Sequence, residues 1–320
     1  NMTRYALLSL SLVIGLFSPS FADEPKAPLS KLKLADGDTI VFLGDSITAA
    51  GPYVSYFDAW LVAKKGKQAP VVIDAGLPSE TVSGLSEEGH AGGKFPRPDL
   101  AERLERVLRL TRPDLVVACY GINCGIYEPF DPIRFAQYQR GIEKLKTAVE
   151  KAEAKLVLVT PPFYDDARAP KSFSYNAVLD RYSDWLLRRR ADGWRVIDLH
   201  GPMTAEVRKR REKDSQFTFQ PDGVHPSDEG HWFIARQVIR GFGDEQSAAA
   251  ETPLAMLDGL GVSEEVLPLV RQRVILLRDA YVGAAGHKRP GVAAGLPIPE
   301  AEKKAAELTA QIEKRLPAAK

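Results

Sequence analysis

The chain is poor in cysteine and has no excess of charge of either sign. Its 320 residues include 43 basic and 42 acidic side chains, which gives a net charge of +1. Balanced charge produces no large field of one sign, so the composition argues against nucleic acid and anionic membranes as partners. The two cysteines, Cys119 and Cys124, allow one disulfide, and the sequence leaves open whether they pair or stay small buried thiols.

A long apolar run is also missing. The longest one, residues 5–17 after Arg4, is too short to span a bilayer as a helix. Small residues at Ser20 and Ala22 suit a signal-peptidase site, and no cysteine follows as a lipoprotein would require. We therefore predict a signal peptide over residues 1–22 and an exported protein, periplasmic or secreted, that leaves the membrane after cleavage. An uncleaved anchor is the alternative.

The length and composition indicate one large domain with a smaller appendage. Hydrophobic residues make up 44% of the chain and charged residues 27%, which is ordinary for a globular protein. We predict a linker over residues 23–35, a main domain over residues 36–243 and a C-terminal helical extension over residues 244–320. Residues 243–252 are polar and rich in alanine, which predicts a second linker. The extension is too small for a core of its own, so we expect it to pack on the main domain.

Five apolar runs alternate with helical patterns in the main domain. The predicted strands are residues 39–43, 70–74, 114–119, 155–160 and 194–199. The predicted helices are residues 52–65, 99–110, 132–152, 175–190, 203–213 and 227–240, followed in the extension by 263–281 and 299–316. This alternation predicts an α/β fold with a parallel sheet covered by helices on both faces.

The first of these strands leads into the most informative turn of the chain. Four apolar residues end at Gly44, and Ser46 stands two positions later. In an open α/β sheet ligands bind beyond the carboxyl ends of the strands, so Ser46 is placed where a nucleophile could act. Asp45 is expected to bind backbone amides within this turn.

Later loops contain the other groups that serine chemistry needs. A serine hydroxyl requires a general base, and a carboxylate orients that base. Asp222 and His225 lie three residues apart in a turn after the fifth strand and can supply both. Asn123 follows the third strand and can donate a side-chain N–H to an oxyanion. Backbone N–H groups of Ser46 and of the turn after the second strand can add further donors.

The sequence resembles the GDSL/SGNH hydrolases, a family of serine esterases. The motifs that carry the resemblance are Gly44-Asp45-Ser46, Gly121-Ile122-Asn123 and Asp222-Gly223-Val224-His225, within a matching span of about residues 38–241. The resemblance implies a three-layer α/β/α sandwich with a five-stranded, flavodoxin-like parallel sheet. It also implies that Ser46 is the nucleophile, His225 the general base and then acid, Asp222 its orienter, and Asn123 an oxyanion donor.

One motif departs from the family pattern. The family usually has Asn-x-Gly-x-x-Gly-x-Thr after the second strand, whereas this chain has Asp74 at the first position and Ser79 where the oxyanion glycine is expected. Because the donor is a backbone N–H, a serine can serve if its φ and ψ angles are accessible. We therefore predict an oxyanion hole formed by Ser46, Ser79 and Asn123, with Gly76 as the alternative to Ser79.

Other polar residues have plainer interpretations. His225 and His231 with Asp222 could be metal ligands, but their spacing matches no compact zinc pattern, so we predict no metal and no cofactor. The irregular stretch 83–98 is rich in glycine and charged residues. We expect Glu87 to lie at a solvated edge of this loop. We expect His90 to be solvated or hydrogen-bonded within the loop, and the alternative for His90 is a contact with substrate.

The sequence as a whole predicts an exported serine esterase without cofactor. The polar loop and the export signal favour a small acyl group, an acetyl group above all, on a carbohydrate, so the expected partner is a small-molecule or polysaccharide ester. A lysophospholipase or thioesterase is the alternative enzyme, and a non-catalytic glycan-binding domain is the alternative outside catalysis. The sequence does not indicate an oligomeric state.

Overall fold

The described part of the chain contains one parallel sheet at its centre. The computed structural model describes residue 32 and residues 34–317. The strands are β1 (Thr39–Gly44), β2 (Val71–Asp74), β3 (Leu115–Cys119), β4 (Lys155–Val159) and β5 (Arg195–Ile197). Their order is β2-β1-β3-β4-β5 and every neighbouring pair is parallel. This confirms the predicted flavodoxin-like arrangement.

Strand β1 lies inside the sheet between β2 and β3, and its burial explains its composition. Residues 40–43 have no exposed surface because helices cover both faces of the strand. In the register, Gly44 lies opposite Cys119 at the end of β3. The turns that follow β1 and β3 therefore leave the sheet side by side at its carboxyl edge.

Helices flank this sheet and extend beyond it at the C-terminal end of the chain. They are α1 (Ser46–Ala49), α2 (Pro52–Lys65), α3 (Leu104–Thr111), α4 (Pro132–Lys151), α5 (Tyr175–Arg188), α6 (His200–Arg211), α7 (Asp228–Gly241), α8 (Glu245–Ala248), α9 (Pro253–Gly259), α10 (Val266–Ala285) and α11 (Ile298–Glu313). Helix α2 packs against α7, and α3 packs against α4. Together with the sheet, these helices form the predicted three-layer sandwich.

The last two helices pack on the sandwich. Helix α10 contacts α2, α3 and the edge strand β2, and α11 packs on α10. Arg273 of α10 forms an ion pair with the fully buried Asp58 of α2, in which Nη2 donates to both carboxylate oxygens at 2.9 Å. Arg278 of α10 donates to the carbonyl of Ala49 in α1 at 2.7 Å.

Several sequence-based boundaries are wrong by a turn of helix. The predicted helix 99–110 is a 3-10 turn over Leu100–Glu102 followed by α3, and α6 begins three residues earlier than predicted. The predicted linker 243–252 is wrong in part, since it contains α8. Asp244 caps this helix, and its carboxylate also accepts a hydrogen bond from Trp60 at 2.9 Å. Helix α9 was not predicted.

The predicted signal peptide lies outside the described residues, as does most of the linker over residues 23–35. In the part of the chain that the structure describes, no helix has the length and apolar character that a bilayer span requires. Cys119 and Cys124 are free thiols. Burial raises the pKa of Cys124 to about 12, so this thiol stays protonated near neutral pH.

Candidate active site

The turn after β1 depends on a glycine at its tightest point. A Cβ atom on Gly44 would lie 2.0 Å from Oγ1 of Thr48, so any side chain there would clash with α1. Asp45 caps α1 by accepting the backbone N–H of Ile47 at 3.0 Å, as the sequence predicted. Burial raises the pKa of Asp45 to about 6, although this hydrogen bond opposes the change. Ser46 is then the first residue of α1.

A hydrogen-bonded chain joins Ser46 to the loop before α7. Oγ of Ser46 lies 2.9 Å from Nε2 of His225. Nδ1 of His225 lies 2.7 Å from Oδ2 of Asp222. The side chains of His225 and Asp222 are 52% and 57% exposed, which places this chain of groups at the protein surface.

The loop that carries Asp222 and His225 is held by its neighbours. Gly223 has a φ of 88°, and a Cβ atom there would lie 2.5 Å from Cβ of Ala169. The carbonyl of Gly223 accepts the backbone N–H of Asp165 at 3.0 Å. Ser227 caps α7 just beyond the loop. These contacts fix the turn that brings the histidine to Ser46.

Hydrogen bonds also lower the pKa of Asp222, the acid in this group of residues. Partial burial alone would raise the pKa of Asp222, but hydrogen bonds from the ring and backbone of His225 and from the backbone of Val224 outweigh it and lower the pKa. Asp222 is therefore a carboxylate at neutral pH, and it can orient His225 and stabilise its protonated form.

A hydrogen bond ties together the two segments that carry Asn123 and Ser79, two of the predicted oxyanion donors. The buried Asn123 donates from Nδ2 to the carbonyl of Glu80 at 3.3 Å, which ties it to the residue after Ser79. Ser79 has a φ of 70°, in the left-handed region that glycine adopts without strain. The N–H of Gly76, the alternative donor, already binds Oδ1 of Asp74 at 2.8 Å. This geometry favours Ser79 over Gly76 as the predicted backbone donor.

A buried ion pair that the sequence analysis missed lies behind Ser79. Arg103 binds Glu80 through two hydrogen bonds of 2.6 and 2.8 Å, and Tyr120 donates to the same carboxylate at 2.6 Å. All three residues are buried. The signal in the sequence was weak, because a single arginine in an amphipathic segment usually lies on the solvent side.

The loop of residues 83–98 corrects one expectation. The side chain of Glu87 is 26% exposed rather than freely solvated, and Arg97 binds its carboxylate through two hydrogen bonds of 2.6 Å. Burial would raise the pKa of Glu87, but these bonds outweigh it and lower the pKa. His90 bonds within the loop, with Nδ1 at 3.1 Å from the same carboxylate. Arg97 and Glu87 thus form an ion pair that closes the loop.

The histidines do not form a shared metal site. Nε2 of His225 faces Ser46, whereas His231 stacks on Tyr53 with ring centroids 6.2 Å apart. Burial lowers the pKa of His231 to about 4. Among the described residues, no three histidine, cysteine, aspartate or glutamate side chains are grouped so that they could hold a metal ion.

The profile of the GDSL-like lipase/acylhydrolase family matches residues 42–233. The chain belongs to this family. It is thus a serine carboxylic ester hydrolase, and the matched span contains Ser46, Ser79, Asn123, Asp222 and His225. No curated protein matches the chain.

Solved structures show the same fold as this family member. LAE5, an α/β hydrolase enzyme from the metagenome of Lake Arreo in Spain, is 24% identical over 66% of this chain and 97% of its own, with a TM-score of 0.51. Axe2, an acetylxylan esterase from Geobacillus stearothermophilus, is 22% identical over 67% and 98%, with a TM-score of 0.51.

A third structure is a longer protein. BT4096, a gut microbial diltiazem-metabolizing enzyme, is 22% identical over 67% of this chain, with a TM-score of 0.51, and the match spans 49% of its own length. Identities this low show a shared fold but not a shared substrate.

Proposed function

We propose that this GDSL-like hydrolase is an exported esterase that removes a small acyl group, an acetyl group above all, from a carbohydrate through an acyl-enzyme on Ser46. The observation that carries the proposal is the hydrogen-bonded chain from Ser46 through His225 to Asp222. These are the nucleophile, base and orienting acid that acyl transfer requires.

In the first half-reaction, Oγ of Ser46 attacks the ester carbonyl carbon while Nε2 of His225 takes the hydroxyl proton. The carbonyl oxygen becomes an oxyanion, which the backbone N–H groups of Ser46 and Ser79 and the side-chain amide of Asn123 stabilise. His225 then returns the proton to the departing alcohol oxygen, and the acyl-enzyme remains.

In the second half-reaction, water attacks the acyl-enzyme carbonyl and gives its proton to His225. Collapse of the second tetrahedral species breaks the bond to Oγ of Ser46, which regains the proton, and the carboxylic acid leaves. The groups already described suffice for each proton transfer, so the reaction needs neither metal nor organic cofactor.

The exposure of Asp222 and His225 and the polarity of the loop 83–98 support a polar substrate. The half-exposed side chains of Asp222 and His225 leave the reacting centre accessible to a bulky alcohol portion such as a sugar. The loop 83–98 beside the site is polar and closed by the Arg97–Glu87 ion pair. Axe2 is an acetylxylan esterase by name, and its shared fold is compatible with the same class of substrate here.

The proposal is tested by measuring hydrolysis of p-nitrophenyl acetate, butyrate and octanoate by the mature protein. The Ser46→Ala variant is assayed in parallel. We expect a preference for acetate and loss of turnover in the variant, after which acetylated oligosaccharides are the next substrates. A preference for octanoate would move the substrate to lipids or thioesters, and equal rates for wild type and variant would contradict the role of Ser46.

Export requires a separate test. The apolar run over residues 5–17 and the small residues before position 23 support cleavage after Ala22. Expression of the full sequence in a Gram-negative host, followed by fractionation and N-terminal sequencing, should find mature protein beginning at Asp23 outside the cytoplasm. Retention of the intact chain in the membrane fraction would favour the uncleaved anchor.

A further inference from the structure

We propose that Tyr127 and Arg97 are positioning residues of the oxyanion hole: Tyr127 sets the orientation of the Asn123 amide, and Arg97 links Tyr127 to Ser79. This inference rests on the proposed function, in which Asn123 and Ser79 donate to the oxyanion. Neither Tyr127 nor Arg97 belongs to the motifs that identify the family, and neither hydrogen-bonds to Ser46, His225 or Asp222 in the structure.

The orientation of the Asn123 amide follows from its two neighbours. The carbonyl of Glu80 can only accept a hydrogen bond, so the nitrogen of the amide must face it, at 3.3 Å. The amide oxygen then accepts the hydroxyl proton of Tyr127 at 2.9 Å. This leaves the second N–H of Nδ2 without an acceptor among the described residues and available to an oxyanion.

Tyr127 is well suited to remain a donor. Burial raises the pKa of its hydroxyl well above the ordinary value, although the nearby Arg97 guanidinium opposes the change. The phenol therefore keeps its proton throughout the pH range in which an esterase works. An acceptor-only group at this place would instead attract the amide nitrogen and turn the N–H groups of Asn123 away from their present direction.

The backbone reaches this arrangement through strained residues. Ile126 and Tyr127 have φ angles of 46° and 57°, a left-handed pair in which the β-branched isoleucine is unfavourable. The turn is closed by the N–H of Ile126, which donates to the carbonyl of Asn123 at 2.9 Å. Tyr175 stacks on the ring of Tyr127 with centroids 4.9 Å apart. Strain of this kind persists where the surroundings hold a particular side-chain position.

Arg97 contacts both Ser79, the second proposed donor, and Tyr127. Its guanidinium lies 5.2 Å from the centroid of the Tyr127 ring, and Nη1 donates to the carbonyl of Ser79 through a long hydrogen bond of 3.4 Å. The other two nitrogens are held by Glu87. One buried cation thus contacts both the residue that holds Asn123 and the residue that supplies the backbone donor.

Tyr127→Phe tests the first link, because it keeps the ring and removes only the hydroxyl. We expect kcat for p-nitrophenyl acetate to fall about 10- to 100-fold with little change in KM, since the lost interaction serves the transition state. Tyr281→Phe is the matched control: it also removes a hydroxyl that donates to a side-chain oxygen, that of Glu302 at 2.7 Å, but this pair joins α10 to α11. The control should keep kcat within about threefold.

A double-mutant cycle separates positioning from general damage. If Tyr127 acts through Asn123, then Tyr127→Phe has no further effect on kcat in an Asn123→Ala background. A trifluoromethyl ketone gives a second readout, because addition of the serine to it creates an oxyanion. Its inhibition constant should rise in Tyr127→Phe by the same factor by which kcat/KM falls. Thermal melts of each variant check that the fold is retained.

Arg97→Met tests the second link, with Lys171→Met as its control. The Lys171 ammonium lies 5.8 Å from the same ring centroid, but no hydrogen bond to Ser79 is seen for it. We expect Arg97→Met to lower kcat about tenfold and Lys171→Met to leave it within about threefold. Equal losses would show that charge near the ring is what matters, and would contradict the link to Ser79.

The outcomes distinguish this inference from the proposed function. Wild-type kcat in Tyr127→Phe, or an equal further loss in the Asn123→Ala background, overturns the inference while Ser46→Ala remains inactive. Turnover by Ser46→Ala, or full activity of Asn123→Ala, instead overturns the proposed function on which the inference rests.

Discussion

Asp222 holds His225 with both of its carboxylate oxygens. Oδ2 lies 2.7 Å from Nδ1 of the ring, while Oδ1 accepts the backbone N–H of the same histidine at 2.7 Å. Oδ1 also accepts the N–H of Val224 at 2.9 Å. One side chain therefore sets the direction of the imidazole and closes the turn that delivers it to Ser46.

Replacing Asp222 by Asn should lower kcat roughly 10²- to 10⁴-fold with a small change in KM, because an amide can place an N–H against Nδ1 and favour the wrong tautomer. Steady-state kinetics on p-nitrophenyl acetate measure this. Asp228→Asn, which changes an exposed carboxylate in the first turn of α7, is the control and should keep the wild-type kcat. Wild-type kcat in Asp222→Asn would remove Asp222 from the mechanism.

Asp74 should make stability depend on pH. Burial raises its pKa from 3.8 to about 7, although the Gly76 N–H opposes this, and Oδ2 has no hydrogen-bond partner among the described residues. A raised carboxyl pKa means that the folded state binds more protons. Its contribution to stability is thus complete below pH 4 and is lost as the pH rises to about 7, by roughly 4 kcal/mol in total.

Asp74→Asn should therefore stabilise the protein at pH 8 and make almost no difference at pH 4. The amide oxygen can still accept the N–H of Gly76, and asparagine is the residue that the family pattern has at this position. Denaturant unfolding at both pH values measures the difference, with the exposed Asp36→Asn as control. An equal effect at the two pH values would show that the charge of Asp74 is not responsible.

Ser79→Gly should raise stability by about 1 kcal/mol, because glycine adopts a positive φ without the steric cost that a Cβ atom brings. The φ of Ser79 is 70°. Ser79→Ala is the matched control, since alanine retains the Cβ atom and removes only the hydroxyl. Thermal unfolding of both variants provides the test, and a gain in the alanine variant as large as that in glycine would argue against backbone strain.

Arg273→Met should loosen the C-terminal helices from the sandwich. It leaves the fully buried Asp58 without its partner and removes the hydrogen bond to Thr309 of α11, so we expect a loss of about 3 to 5 kcal/mol. Burial raises the pKa of Asp58 against the effect of Arg273. Adding Asp58→Asn should therefore recover part of the loss. No recovery in the double variant would mean that the unpaired charge does not cause the effect.

Local sequence patterns were enough to predict the sheet and the turns that carry the candidate site. Apolar runs of period and length suited to buried strands occur five times, and short turn motifs place Ser46, Asn123, Asp222 and His225 after particular strands. These patterns involve residues that are close in sequence, so they can be recognised from the sequence alone. Parallel pairing then brings the carboxyl ends together, and the structure has Ser46 within 2.9 Å of His225.

The contacts between side chains that are distant in sequence depend on the packing of the whole chain. Arg103 binds Glu80, 23 positions away, and Arg97 reaches Ser79, 18 positions away, although composition gives no preference for these pairs over many others. The Tyr127 hydroxyl finds Asn123 only because two residues adopt left-handed angles that their side chains disfavour. Helix α8, the docking of α10 and the two separate thiols were likewise decided by packing. Hydrogen bonds and ion pairs of this kind depend on distances of a few tenths of an ångström, which the whole fold sets and no local pattern encodes.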